Sequence, residues 1–263
     1  MSEKVEAVEA ERVLAAAWKV KNLGDYERRL ERAARRVDED SSERDQASLI
    51  IYEAALMQSG RPREEVRELV REFRRVYDDP EEELTIPRVS GLMNVEGPEW
   101  FFDDEEIRRL AGRLLGQFQH RVAQYNYLEE EEVLRRWADS YDTRLFIRRR
   151  IFDTEPTVGV VSGFDLPRMQ FLRVAAGGNT LEPTPEVSRS LISLGLSGSD
   201  EYETLAAGEG LALHLDVPAP IVGGMLEDLD RDGIKDFPEP PEPATVEAGA
   251  EPEDDAESES GEG

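Results

Sequence analysis

The sequence predicts an all-α fold, and three observations support that prediction. Apolar residues recur at spacings of three and four over most of the chain before residue 237, as they do on the buried face of a helix. The alternation of apolar and polar residues that is typical of half-buried strands is nearly absent. Glycine, proline, serine and aspartate stand where the periodic segments begin and end. We therefore expect about nine to eleven short helices, without an internal repeat.

The first half of the chain contains two helices that form an expected αα-hairpin. An apolar segment ends at Ser59 and Gly60, a typical helix C-cap, and Pro62 restarts the chain at a first helical position. The stretch from Pro80 to Trp100 contains Pro87, Gly91, Gly97 and Pro98, and we expect a long loop there. Asp103 or Asp104 is expected to cap the helix that follows. Helices are predicted over 8–17, 26–34, 48–57, 62–76, 104–118 and 130–141.

The second half continues with helices and ends in a tail. Helices are predicted over 144–152, 166–176, 185–194, 202–214 and 218–230. The segment from Phe237 to Gly263 contains ten acidic side chains, no basic side chain and five prolines, so it cannot bury a core. We expect an N-terminal helical segment over 1–44, a helical domain over 45–236 and a disordered acidic tail over 237–263.

The charge of the chain is strongly negative. Asp and Glu number 59 against 32 Lys and Arg, which gives a net charge of −27, and only four of the basic residues are lysines. This composition resembles that of proteins from salt-accumulating organisms, where surface carboxylates keep proteins hydrated and soluble. In an organism that does not accumulate salt, the same charge would argue against nucleic acid as a partner.

Several classes of function lack the residues that they need. The chain has no cysteine and only two histidines, His120 and His214, so we expect no metal site and no cofactor. The glycine-rich nucleotide loops, the serine-hydrolase elbow and the HExxH zinc motif are all missing. No apolar stretch is long enough for a membrane span. We expect a cytoplasmic protein without a membrane partner.

One region resembles a known family. Ser162-Gly163-Phe164-Asp165 is followed by a helix, the pair Gly177-Gly178, and a Val-x-Arg helix that ends in Leu194-Gly195-Leu196. This order resembles the helix-hairpin-helix region of the base-excision DNA glycosylase superfamily, which includes endonuclease III. The likeness extends loosely over 49–229, and it includes a first helical pair over 49–77 whose apolar helix ends near a glutamine, Gln58.

The resemblance implies contact with duplex DNA at the hairpin. A tight turn between two helices can present backbone N–H groups to a phosphate, although Asp165 is expected to face that phosphate here. From Arg135 to Arg189 there are nine arginines against seven carboxylates, a basic excess in an acidic chain. The DNA-binding residues predicted on this basis are Ser162, Gly163, Phe164, Arg148, Arg149, Arg150, Arg168 and Arg173.

The catalytic residues of the family are not matched. Leu166 stands where the resemblance places a Schiff-base lysine, and Thr184 stands where it places an aspartate. Glu182 and Glu186 lie two residues to either side of Thr184, which leaves a shifted carboxylate as an alternative. We expect a DNA-binding or DNA-repair-related protein that lacks glycosylase catalysis.

Two further interpretations stay open at this point. The chain could instead be a non-enzymatic interaction or structural protein, with arginines paired to carboxylates and protein partners bound by the acidic tail or by Trp100, Phe101 and Phe102. The run from Asp228 to Glu239 has the spacing of a calcium loop. For that run we favour an acidic helix end with Gly233 as its left-handed cap.

Overall fold

The protein is all-α, as predicted. The structure is a computed structural model that describes residues 3–94, 104–140, 150 and 152–241. Within these ranges it contains eleven α-helices, one short 3-10 helix (Phe152–Thr154) and no strand. The α-helices are α1 Glu3–Lys21, α2 Tyr26–Glu43, α3 Ala47–Met57, α4 Arg63–Tyr77, α5 Ile86–Asn94, α6 Glu105–Gln124, α7 Glu130–Asp139, α8 Leu166–Ala175, α9 Pro185–Ser193, α10 Glu201–Leu215 and α11 Ala219–Arg231.

Helix α3 is the centre of the core. Every residue from Ala47 to Met57 is buried, because its sequence is apolar on all sides and α4, α6, α7 and α8 surround it. The polar groups of α3 find partners inside the protein. Ser48 donates a hydrogen bond to the Leu84 carbonyl, and Glu53 accepts two hydrogen bonds from Arg44, at 2.8 and 2.9 Å.

Helix α5 replaces part of the expected loop. The prediction of a long loop over 80–100 was wrong for residues 86–94, because Ile86, Val89 and Met93 form a buried face at helical spacing. Pro87 falls in the first turn, where its missing N–H costs no helical hydrogen bond. The carboxylate of Glu130 accepts the N–H of Ile86 at 2.7 Å and caps the helix from a distant part of the chain.

Several predicted helix ends agree with the structure, whereas α1, α2 and α6 extend beyond their predicted ends. Gly60 has a φ of +73° after α3, and Asp104 caps α6 by accepting the N–H groups of Glu106 and Ile107. The predicted helix over 144–152 lies outside the described residues up to Arg149, as does the predicted tail beyond Pro241. None of the described helices combines the length and the apolar character of a membrane span.

The N-terminal helices pack against the C-terminal ones, α1 on α10 and α2 on α11. Ala16, Val20 and Ala33 belong to the same apolar core as α3, so the predicted N-terminal segment over 1–44 shares a core with the rest of the chain. The contact between α2 and α11 is also ionic. Arg29 is buried and bonds Asp25 at 2.9 Å and Asp232 at 2.7 Å.

We predict that this ionic contact contributes to stability only above the acidic range. Hydrogen bonds from Arg29 lower the pKa of both Asp25 and Asp232, so the ionised carboxylates are favoured in the folded state. Stability from a lowered carboxyl pKa is present above the unfolded pKa of about 3.9 and is lost as pH falls through the lower, folded pKa. Denaturant unfolding of Arg29→Met should therefore show a smaller loss of stability below about pH 4 than the parent chain does.

The control for this experiment is Arg35→Met on the same helix, because Arg35 is exposed and lies 4.0 Å from Glu39, its one ion-pair partner among the described residues. It should keep the acid dependence of the parent chain. Identical curves for Arg29→Met and the parent would contradict the assignment.

Candidate functional site

A buried carboxylate organises the segment that leads into the predicted hairpin. Glu155 is 1% exposed, and its Oε2 accepts the N–H groups of Thr157, Val158 and Gly159. Its Oε1 accepts the indole N–H of Trp137 at 3.2 Å. Because these backbone groups belong to no helix, the carboxylate supplies the acceptors that buried N–H groups require.

The turn itself has the conformation that its glycine permits. Gly163 has a φ of +86°, and the N–H of Phe164 donates to the Val161 carbonyl at 3.2 Å. Phe164 is buried, while Ser162 and Gly163 are exposed. Within the described part of the chain, the N–H groups of Ser162 and Gly163 have no protein acceptor.

Asp165 forms two hydrogen bonds inside the protein. Its Oδ1 accepts the N–H of Arg168 at 2.9 Å and caps α8, and its Oδ2 accepts the side-chain amide of Gln58 at 3.2 Å. Gln58 follows α3, so this hydrogen bond joins the C-terminal end of α3 to the turn.

The described arginines among the predicted DNA-binding residues all have partners inside the protein. Arg150 bonds Asp200 at 2.5 Å, and Arg168 bonds Glu182 at 2.8 Å. Arg173 is 2% exposed and donates to the Ala138 carbonyl and to Gln170. Arg148 and Arg149 lie outside the described residues, as do Trp100, Phe101 and Phe102.

The side chains at the positions of the family's catalytic residues are also buried or bonded to other groups of the protein. Leu166 is buried, and the Thr184 hydroxyl caps α9 by accepting the N–H of Val187 at 3.2 Å. Glu182 lies between Arg63 at 2.5 Å and Arg168 at 2.8 Å. Burial raises the pKa of Glu182, whereas the two guanidinium groups act in the opposite direction. Glu186 bonds Arg189 at the surface.

The cavity beside these positions is acidic. It has a volume of about 480 Å³, and four of its lining residues carry carboxylates while one, Arg168, is basic. The carboxylates are those of Asp165, Glu182, Asp200 and Glu201. A phosphate in this cavity would meet an excess of negative charge.

A second cavity, of about 560 Å³, opens at the turn on the side of α6. Its polar lining comes from Gln58, Ser59, Asp104, Glu106, Arg109, Arg113, Ser162 and Gly163. The guanidinium of Arg113 donates to the Ser162 carbonyl at 2.9 Å, which places a cation directly at the turn. Arg109 is paired with Glu105 at 2.5 Å. No described carboxylate forms an ion pair with Arg113.

Arg121 is the second arginine of α6 that has no ion pair to a described carboxylate. It donates to the Thr157 hydroxyl at 3.1 Å, eight residues along the helix from Arg113. The prediction from sequence included neither arginine. A pattern that could have identified them is the segment from Ile107 to Leu128, which is the longest stretch of the chain without Asp or Glu.

The possible calcium loop is an acidic helix end, as favoured from the sequence. Asp228, Asp230 and Asp232 bond different arginines, and Gly233 has a φ of +67° after α11. Within the described ranges, no group of three or more potential ligands could hold a metal ion.

No protein-family model matches the chain, and no curated protein or solved structure is significantly similar to it.

We predict that Gly159 cannot be replaced without loss of stability. A Cβ at this position would lie 1.8 Å from the Phe152 carbonyl oxygen, so the segment held by Glu155 would have to move. Gly159→Ala should lower the free energy of unfolding by about 2 kcal/mol or more. Gly116→Ala is the control, because no atom lies within 4 Å of its Cβ and alanine favours a helix. Equal stability of the two variants in urea would contradict this prediction.

Proposed function

We propose that this chain is a DNA-binding or DNA-repair-related protein without glycosylase catalysis, and that it contacts phosphates at the turn through Arg113. The observation that carries the proposal is the position of the Arg113 guanidinium. It is exposed, lies 2.9 Å from the Ser162 carbonyl and has no ion pair to a described carboxylate. The free N–H groups of Ser162 and Gly163 provide further donors for a phosphate oxygen.

The assignment of a non-catalytic role rests on the engaged catalytic positions. Thr184 uses its hydroxyl for a helix cap, and Glu182 is held by two arginines. Neither group is available to stabilise a developing positive charge on a sugar.

A second candidate is a non-enzymatic structural or protein-interaction role. The ion pairing of Arg150, Arg168 and Arg189 favours it, because paired arginines cannot hold phosphates without giving up their carboxylates. Under this hypothesis the folded protein has no saturable affinity for nucleic acid, and its partners are proteins.

The proposal includes the cellular environment of the protein. We infer that it works in the cytoplasm of a salt-accumulating organism, which the excess of 59 carboxylates over 32 basic residues and the absence of cysteine support.

The first expected outcome concerns binding. In fluorescence anisotropy with a labelled duplex, Arg113→Glu should weaken binding by about tenfold, because it replaces a phosphate contact with a repelling charge. Arg113→Lys should retain most of the affinity. The control is Arg135→Glu, the same charge change at an exposed arginine of α7 that is paired with Glu132.

The binding experiment is done at the lowest KCl concentration in which circular dichroism shows the native helix content. If Arg113→Glu and Arg135→Glu weaken saturable binding equally, the turn is not the site at which DNA binds. Absence of binding to DNA by the folded parent chain, both as a duplex and as a single strand, would overturn the DNA hypothesis and favour the second candidate.

The second expected outcome concerns salt. Screening of the negative surface should raise the melting temperature by roughly 10 °C between dilute and molar KCl, a few kcal/mol for a chain of this size. Sucrose at matched osmolarity is the control, because it does not screen charge. A melting temperature that is independent of KCl would contradict adaptation to salt.

A further inference from the structure

Two segments without carboxylates lie side by side on the surface next to the turn. Arg121 contacts Thr157 and Arg113 contacts Ser162, so residues 157–162 run antiparallel to α6. The stretches from Ile107 to Leu128 and from Pro156 to Phe164 contain no Asp or Glu. The carboxylate of Glu155, just before the second stretch, is buried and bonded to backbone N–H groups. We call this surface the α6 strip.

The α6 strip has hydrogen-bond donors along the length of α6. Arg113, Gln117, His120 and Gln124 recur at spacings of four, three and four, which places them on one face. Because a helix rises 1.5 Å per residue, the Cα atoms of Arg113 and Arg121 are about 12 Å apart along the axis. The two guanidinium groups are also held at different points, one at the Ser162 carbonyl and the other at the Thr157 hydroxyl. The arrangement fits a chain of phosphates rather than a single anion.

An exposed aromatic pair stands at the far end of the α6 strip. Tyr125 is 37% exposed and Tyr127 is 72% exposed, and their ring centroids are 6.4 Å apart with an interplanar angle of 74°. Exposed aromatic rings beside cationic groups are typical of surfaces that stack unpaired bases. The bases of a duplex are stacked on one another, so their faces are closed to such rings.

Carboxylates mark both ends of the α6 strip. Asp104, Glu105 and Glu106 precede it, and Glu129 to Glu132 follow it at the start of α7. From Arg113 to Tyr125 the helix rises about 18 Å, which corresponds to roughly five nucleotides of a stacked single strand. A bound strand is therefore short.

We propose that the α6 strip binds one unpaired nucleic-acid strand, with Arg113 and Arg121 on separate phosphates and Tyr125 and Tyr127 against the bases. This inference rests on the proposed function, since it names the form of nucleic acid that the same site takes. The turn at Gly163 holds one end of the strand, and the tyrosines hold the other.

The test compares labelled oligothymidylates of increasing length with a duplex, by fluorescence anisotropy. The expected affinity of the parent chain is about tenfold higher for the single strand, with a plateau near five or six nucleotides. Arg121→Glu should weaken single-strand binding by about tenfold, whereas Arg135→Glu should change it less than about twofold.

The aromatic contribution has its own matched pair of variants. Tyr127→Ser should weaken single-strand binding by about tenfold, since stacking contributes on the order of 1–3 kcal/mol per base, whereas Tyr127→Phe keeps the ring and the affinity. Tyr127→Ser should leave duplex binding unchanged. Circular dichroism of each variant verifies that it is folded.

Different results of these experiments would overturn the single-strand inference and the proposed function. Equal affinity for single strand and duplex, or single-strand binding that Arg121→Glu and Tyr127→Ser leave unchanged, would overturn the single-strand inference and keep the proposed function. Absence of binding to either nucleic acid would overturn both.

Discussion

The excess of carboxylates is the constraint on which the surface of this protein depends. With 59 acidic and 32 basic residues, an arginine on the surface has carboxylates close to it in sequence, in space or in both. Arg189 illustrates this, because it bonds Glu186 three residues away and Asp230 on another helix. An arginine keeps its charge available only where no carboxylate lies within ion-pair distance. No described carboxylate forms an ion pair with Arg113 or Arg121 of the α6 strip, although Asp104 and Glu106 line the same cavity as Arg113.

Glu155 is a carboxylate close to the turn that is buried instead of exposed at the surface. Placed on the surface beside the turn, its charge would neutralise a nearby guanidinium, as Glu182 does for Arg168. It is instead buried, where it accepts three backbone N–H groups and the Trp137 indole. The same hydrogen bonds that shape residues 157–159 therefore also hold this carboxylate in the interior, away from the surface of the strip. Gly159 makes this possible, because any side chain there would meet the Phe152 carbonyl.

Much of the fold could be predicted from the sequence, since apolar spacing and capping residues are local properties. Helix α5 was missed because Pro87 and Gly91 resemble helix breakers, and because its cap comes from Glu130, far along the chain. The site was harder to predict, because its residues also find their partners in distant parts of the chain. The count of arginines between Arg135 and Arg189 is visible in the sequence, but their partners are not, since Asp200 and the Ala138 carbonyl come from other elements. The stretch without acids over 107–128 is local, and only its position beside the turn required the structure.

The distribution of charge differs between the two sides of the turn. Gly163 lines the cavity that contains Arg113, whereas Asp165, two residues later, lines the cavity that contains Glu182, Asp200 and Glu201. The potential therefore becomes more negative from one side of the turn to the other. A phosphate chain held at the turn is favoured along α6 and disfavoured across the first turn of α8. Under the proposed function, a strand at the turn would consequently lie away from Thr184, and its sugars would stay outside the position where the glycosylase resemblance places base removal.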